Sequence, residues 1–198
     1  MREITIHTNE AGQRLDKFLA KYMKEAPTSF FYKMLRKKNI LLNGKSCSGS
    51  ERLQNGDILR FYLSEETLAA FGASVADNSG RQEGAPYEKA YRKWRDIRVV
   101  YEDEHILAAD KPAGVLTQKA VATDLSLNEW LIGYLLQSKA ISPKELSTFK
   151  PSVCNRLDRN TSGLVLCAKS LAGAQLLGKI LRERALRKFY RLLVSGRP

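Results

Sequence analysis

The first part of the chain changes from a strand-like to a helix-like pattern of apolar residues. Ile4 and Ile6 alternate with polar neighbours, which is typical of a short edge strand. The apolar residues that follow recur every three or four positions and predict an amphipathic helix that ends before Pro27. They are Leu15, Phe18, Leu19, Tyr22 and Met23.

A second helix is predicted over residues 30–38, with Phe31, Met34 and Leu35 on its buried side. Its outer side collects four cations: Lys33, Arg36, Lys37 and Lys38. A strand is predicted at 40–42, and after the Asn43-Gly44 turn a return strand begins at 45–47. Residues 53–63 supply a second turn and another strand. This cationic helix is either a solvated surface or a polyanion-binding surface, and the pattern alone favours the former.

Residues 64–96 lose this periodicity because glycines and Pro86 interrupt it, and residues 72–96 are predicted to form a linker. The end of this stretch, residues 87–95, interleaves aromatic and basic residues. Two interpretations fit this segment equally well. In the first, its aromatic residues stack on RNA while its cations neutralise phosphates. In the second, it forms a short helix docked on the next domain.

The second half of the chain, from residue 97, reads as strands and amphipathic helices. Strands are predicted at 99–101 and 106–109, followed by a sharp Lys111-Pro112-Ala113-Gly114 turn. A helix around Trp130 has Ser126 as its cap, and another spans about 171–184. The apolar run 164–168 predicts a strand buried on both faces, and residues 188–196 predict a last strand.

Composition narrows the class of partner. The chain has 198 residues and a formal net charge of +12, which favours a polyanion such as nucleic acid or an anionic membrane surface. The sequence also carries no signal for a membrane or secretory location. No apolar run approaches the roughly 18 residues that a membrane helix needs, and the N-terminal residues lack the apolar core of a secretory signal. We therefore expect a cytoplasmic protein.

Metal chemistry is not indicated by the sequence. Cys47, Cys154 and Cys167 have no Cys-x-x-Cys spacing, and His7 and His105 are far apart along the chain. An uneven number of cysteines needs no disulfide in a reducing compartment. We expect neither a metal ion nor another cofactor.

The most reactive pattern is the polar loop before the buried strand. Asp158 lies between Arg156 and Arg159, and the loop ends in Thr161-Ser162-Gly163. A polar loop on a rigid strand is a suitable mount for a reactive carboxylate. Taken alone, however, an aspartate beside arginines more often indicates an ordinary surface ion pair.

Residues 12–63 resemble the αL motif, a small RNA-binding domain first known from a small-subunit ribosomal protein. The resemblance rests on two short helices followed by hairpins, with Arg14-Leu15-Asp16 near the start and Asn55-Gly56-Asp57 near the end. It implies that RNA phosphates are contacted by five residues: Arg14, Lys33, Arg36, Lys37 and Lys38. Neutralising phosphates releases counterions, so such binding is salt-sensitive and largely independent of sequence.

Three segments of the second half resemble RluA-type RNA pseudouridine synthases, whose accessory N-terminal domain is often the αL motif. They are residues 101–114, 156–164 and 188–196. The resemblance implies that Asp158 attacks the target nucleotide or its glycal-forming intermediate, and that Arg156 helps displace the base and pairs with the aspartate. It also implies that Tyr190 stacks on the uracil and takes part in proton removal. Thr161, Ser162 and Gly163 shape the loop.

The implied fold is α+β: an αL RNA-binding domain at 1–71, a linker at 72–96, and a mixed-sheet catalytic domain at 97–198. The sequence departs from the family pattern in two respects. Asn155 stands where the family usually has histidine, which we interpret as a structural position. The chain also stops before the family's Gly-Arg-x-His-Gln-Ile-Arg-like segment, so we expect a catalytic domain that is incomplete at its C-terminal side.

Two functions from different classes remain open. The first is isomerisation of uridine to pseudouridine in ribosomal or, less favoured, transfer RNA. The second is RNA binding by the αL domain, with the shortened catalytic half inactive. A membrane binder is disfavoured because the helices carry cations beside core-forming stripes, without a wide exposed apolar face. The sequence leaves the oligomeric state open.

Overall fold

The computed structural model describes residues 1–72, 80–143 and 145–196, with the backbone alone for residues 80–85. The first half contains strands β1 (Arg2–Thr5), β2 (Ile40–Leu42), β3 (Lys45–Ser46) and β4 (Ile58–Phe61). Its helices are α1 (Leu15–Tyr22), α2 (Thr28–Arg36) and α3 (Glu65–Ala70). The four strands form one antiparallel sheet in the order β1-β4-β2-β3.

The predicted amphipathic stripes of the first half become one hydrophobic core. From α1, Leu15, Phe18 and Leu19 are buried, and they meet Phe31 of α2 and Phe61 of β4. The outward residues of α2 remain exposed because helical periodicity places them opposite this apolar face.

The second half begins with α4 (Gly80–Lys93) and continues through β5 (Arg98–Glu102), β6 (Ile106–Lys111) and α5 (Leu127–Gln137). A short 3-10 turn at Glu145–Ser147 leads to β7 (Ser152–Val153), β8 (Gly163–Ala168) and α6 (Leu171–Arg182). The sheet order is β5-β6-β8-β7. The Ser126 hydroxyl caps α5 by accepting a hydrogen bond from the Asn128 amide at 3.3 Å, as predicted.

The prediction of a mixed sheet in the second half is wrong. All three described strand pairs of the second half are antiparallel, including β6 with β8. The chain between β6 and β8 makes a long excursion through α5 and returns in the opposite direction. A connection of this length is compatible with either strand direction, so local sequence patterns do not determine it.

The linker prediction is wrong for residues 80–93, which form α4; residues 73–79 lie outside the described residues. Ala90 of α4 is fully buried, and Tyr87 and Tyr91 pack against the second core. The docked-helix interpretation of residues 87–95 is therefore confirmed for these two tyrosines. Tertiary packing on α5 outweighs the helix-breaking tendency of Pro86.

The predicted last strand is also wrong. Residues 188–196 pair with no described strand, and Phe189 and Leu193 are 85% and 101% exposed. A strand is stabilised by a partner, so an alternating pattern alone does not produce one. Tyr190 lies in this segment and is 61% exposed.

Gly133 permits the close packing of α4 on α5. A Cβ atom added at Gly133 would lie 2.2 Å from the Tyr87 carbonyl oxygen, whereas one added at Gly178 of α6 would meet nothing within 4 Å. The two glycines therefore form a matched pair of helical positions.

We expect Gly133→Ala to lower the free energy of unfolding by about 1–3 kcal/mol, because the new methyl group forces α4 away from α5. Gly178→Ala should be neutral or stabilising by up to about 1 kcal/mol, since alanine favours the helix. Urea denaturation of both variants measures the difference. Equal stabilities of the two variants would contradict the described packing.

Candidate active site

The loop that carries Asp158 connects β7 to β8 and is tied to β8 at its start. The Asn155 side-chain amide donates to the Leu164 carbonyl at 3.3 Å, and its side-chain oxygen accepts from the Leu166 amide at 2.7 Å. The Asn155 side chain thus both donates to and accepts from the backbone of β8, in keeping with a structural role at this position.

Leu157, the residue before Asp158, is held by the buried side chain of Thr117. The Thr117 hydroxyl donates to the Leu157 carbonyl at 2.6 Å, and the Leu157 amide donates to the same hydroxyl at 3.2 Å. One hydroxyl therefore satisfies both backbone groups of Leu157.

Arg159, the residue after Asp158, is held through its carbonyl by Lys111, whose side chain is completely buried. The Lys111 ammonium group donates to three carbonyl oxygens, those of Pro112 (3.0 Å), Val115 (2.8 Å) and Arg159 (3.1 Å). The Gly114 amide also donates to the Arg159 carbonyl at 2.8 Å. The three donors of the ammonium group are thereby used, and the 112–115 turn is fastened to the Asp158 loop.

The electrostatics of Lys111 follow from this location. Burial lowers the pKa of Lys111, and the negative charge of Asp158 opposes that shift. The carbonyl dipoles and the aspartate together make a buried ammonium group tolerable.

Asp158 itself is exposed between its two clamped neighbours. Within the described parts of the chain it forms no ion pair with Arg156 or Arg159, which are also exposed. The Thr161 amide closes the turn by donating to the Asp158 carbonyl at 3.1 Å. The result is a fixed backbone that presents a carboxylate to solvent.

The end of the loop requires glycine. Gly163 has a φ of +131°, a backbone conformation that side-chain-bearing residues rarely adopt. A Cβ atom there would lie 3.7 Å from Leu157 Cδ1, so the constraint is conformational rather than steric. Ser162 is exposed, and Thr161 is partly buried.

Tyr190 is the one predicted catalytic residue outside this loop. Its side chain forms no hydrogen bond or aromatic contact with any residue that the structure describes. The structure therefore brings Asp158 and Arg156 onto one loop and leaves Tyr190 on the exposed segment after α6.

The five predicted RNA-contacting residues of the first half are all exposed. Lys33, Arg36 and Lys37 follow one helical face, and Lys38 adopts a positive φ of 60° just beyond the helix. Arg14 differs from them, because its guanidinium pairs with Asp16 at 2.9 Å. Tyr32 of α2 donates to the same carboxylate at 3.2 Å.

A groove lies beside the Asp158 loop. Its volume is about 340 Å³, and it is lined from α4 by Lys89, Lys93 and Trp94 and from the loop by Arg159. The remaining lining residues are Gly114, Leu116, Thr123, Asp124 and Leu125. Sequence reasoning missed both this groove and the roles of Lys111 and Thr117. The only sequence signals were the Lys-Pro-x-Gly turn and the basic residues of 87–95.

Two features are absent from the described ranges 1–72, 80–143 and 145–196. They contain no group of three or more His, Cys, Asp or Glu residues placed to hold a metal ion. They also contain no helix that is both long and apolar enough to cross a membrane.

Comparison with known proteins shows which family this part of the chain resembles. Residues 105–198, which include the whole Asp158 loop, match the profile of the RNA pseudouridylate synthase family. The predicted resemblance is confirmed: the chain is similar to RNA pseudouridine synthases.

Individual relatives match nearly the whole chain. A ribosomal large subunit pseudouridine synthase C of Salmonella typhi is 32% identical over 98% of this chain and 54% of its own length. The protein of the same name in Vibrio cholerae is 29% identical over 98% and 55% of the respective lengths. An uncharacterized RNA pseudouridine synthase of Mycoplasma pneumoniae is 31% identical over 92% and 52%. The chain thus spans about half the length of these curated relatives.

We expect Lys111→Met to lower the free energy of unfolding by about 1–3 kcal/mol, because three carbonyl oxygens each lose one hydrogen bond. Hydrogen exchange at the Gly114 and Leu157 amides should accelerate as the loop loses its anchor. Lys179→Met, at an exposed position of α6, is the matched control and should change neither quantity. Unchanged exchange in Lys111→Met would show that the loop holds its conformation without the ammonium group.

Proposed function

We propose that the protein isomerises uridine to pseudouridine in RNA, with Asp158 as the nucleophile. The observation that carries this proposal is the exposed Asp158 carboxylate on a backbone fixed by Thr117 and Lys111, within the region that matches the synthase family. A fixed backbone is what a nucleophile needs to meet its target with a defined orientation.

The reaction exchanges bonds within one nucleotide. The glycosidic bond between C1′ of the ribose and N1 of uracil breaks, the base turns, and a bond forms between C1′ and C5. The proton on C5 is lost to solvent, and N1 takes up a proton. No electrons are transferred to another molecule, so the reaction requires no redox cofactor.

Asp158 fits this reaction as a carboxylate that attacks the sugar or removes a proton from it. The target base must leave the helical stack, at a cost of a few kcal/mol. We propose that Arg156 helps displace the base, and that Tyr190 stacks on the uracil and takes part in proton removal. Thr161, Ser162 and Gly163 shape the loop that presents the aspartate.

We propose ribosomal RNA as the favoured substrate, following the names of the bacterial relatives, with transfer RNA as the other candidate. We propose a cytoplasmic location, in keeping with such a substrate. We also propose that residues 1–71 form an αL-type RNA-binding domain and that the catalytic domain starts before residue 97, since α4 packs on its core. In this proposal the basic face of α2 and Arg14 contact RNA phosphates.

A second candidate function is RNA binding without catalysis. The observation in its favour is the exposure of Tyr190 on a segment that pairs with no described strand. In that case the Asp158 loop is retained as part of the scaffold, and RNA is held mainly by the basic surface of the first half.

The catalytic proposal is tested with a large-subunit ribosomal RNA transcript carrying tritium at uracil C5. We expect the protein to release tritium and Asp158→Ala to reduce the release by several orders of magnitude, because the nucleophile is lost. Asp96→Ala, an exposed carboxylate outside the loop and the groove, should behave as the unmodified protein. RNA binding with no release from the unmodified chain would favour the non-catalytic candidate, and equal release from Asp158→Ala would rule out Asp158.

The proposed RNA-binding face is tested by charge reversal at Arg36 and Lys37. Each phosphate contact contributes about one unit to the slope of log affinity against log salt concentration. The double variant Arg36→Glu/Lys37→Glu should therefore weaken RNA binding and flatten that slope by about two. The matched variant Lys179→Glu/Arg182→Glu, with the same charge change on exposed positions of α6, should keep the slope. An unaltered slope in the first variant would remove Arg36 and Lys37 from the interface.

A further inference from the structure

The groove beside the Asp158 loop has an excess of positive charge. Three cationic side chains line it, Lys89 and Lys93 from α4 and Arg159 from the loop, against the single carboxylate of Asp124. That carboxylate already accepts hydrogen bonds from the Ala120 and Val121 amides, at 3.1 and 3.0 Å. These hydrogen bonds lower the pKa of Asp124, and it therefore stays ionised while engaged with its own turn.

The three cations form few contacts within the fold: Lys93 lies over the Trp94 ring, and Arg159 acts on Asp124 only through its charge. None of them forms an ion pair with an acidic residue anywhere in the described chain. Neighbouring cations outside the groove differ in this respect: Arg92 pairs with Glu88 at 2.6 Å, and Lys119 pairs with Glu129 at 3.5 Å. The cations that face the groove are thus available to an external anion.

Both walls of the groove are fixed in position. Lys89 and Lys93 are four residues apart, so they lie on one face of α4, which is anchored on α5 by the buried Ala90 and the contact with Gly133. The Arg159 backbone is fixed by the hydrogen bonds of its carbonyl with Lys111 and Gly114, so the origin of its side chain at the groove is defined. Because Arg159 follows Asp158 directly, an anion bound by Arg159 lies one residue along the loop from the proposed nucleophile.

Trp94 adds an aromatic surface to this wall. It packs partly against the core, and the Lys93 ammonium lies 5.1 Å from the centre of its ring. The chain contains two tryptophans, and the other, Trp130, is buried. Trp94 therefore reports on occupancy of the groove.

We propose that this groove is a binding subsite for the RNA sugar-phosphate backbone next to the target nucleotide, with Lys89, Lys93 and Arg159 contacting phosphates. The proposal rests on the proposed function, because it takes RNA as the substrate of the adjacent loop. Phosphodiester groups suit the subsite because each offers a delocalised negative charge and acceptor oxygens to ammonium and guanidinium donors. Contacts on the flanking backbone hold the nucleotide in register while the base is extruded.

The proposal is tested first by the salt dependence of RNA binding, measured by fluorescence anisotropy with a labelled large-subunit ribosomal RNA fragment. Lys89→Gln/Lys93→Gln should weaken binding and reduce the salt slope by about two, one for each phosphate contact. Arg92→Gln/Arg95→Gln removes the same charge from the end of α4 and the turn after it, at positions that do not line the groove, and should keep the slope. An unchanged slope in the first variant, or an equal reduction in both, would overturn the proposal.

A second measurement uses the unmodified protein and quenching of tryptophan fluorescence by acrylamide. Bound RNA should protect Trp94 from the quencher, and this protection should be lost in Lys89→Gln/Lys93→Gln but not in Arg92→Gln/Arg95→Gln. Inorganic phosphate and uridine monophosphate at equal phosphate concentration should protect far less than RNA. Equal protection by these small anions would indicate a site for free phosphate and overturn the RNA subsite.

These outcomes are independent of those for the catalytic proposal. A salt slope that depends on Lys89 and Lys93, without tritium release, would support the groove proposal and contradict catalysis by this chain. Asp158-dependent release with an unchanged salt slope would support catalysis and overturn the groove proposal. Absence of any RNA binding would overturn the groove proposal as well.

Discussion

The buried ammonium group of Lys111 is the interaction on which the geometry of the candidate site depends. It joins the Pro112–Val115 turn to the loop after β7 through three carbonyl oxygens, one of them 48 residues away along the chain. The cost of burying a cation is offset by these dipoles and by the charge of Asp158. Together with the hydroxyl of Thr117, this cation fixes the residues on both sides of an exposed carboxylate.

Positive charge is distributed in two ways over the molecule, and the difference has a functional meaning. Some cations are paired with acids and serve the fold, as Lys169 does with Glu102 at 2.6 Å. Others, on α2 and in the groove, have no acidic partner among the described residues. If the molecule binds RNA, these unpaired cations are the ones that contribute to binding, since they need not first break an internal ion pair.

Local periodicity was a good guide where an element buries a regular stripe of its own residues. The helices α1, α2, α5 and α6 and the strands β6 and β8 all lie close to their predicted positions, and Ser126 caps α5 as expected. It failed where stability comes from a partner. Packing on α5 makes α4 a helix in spite of Pro86, and residues 188–196 have strand-like alternation but no described partner.

The sequence by itself determined the relationship to RNA pseudouridine synthases, the loop of Asp158 and the basic face of α2, because each is written in contiguous residues or in the spacing of one helix. Only the tertiary structure decided that Lys111 is buried, that Thr117 holds Leu157, and that α4 and Arg159 border one groove. These features join residues that are distant along the chain. Their burial and hydrogen bonding exist only after β6 has paired with β8 and brought these residues together, so no local pattern encodes them.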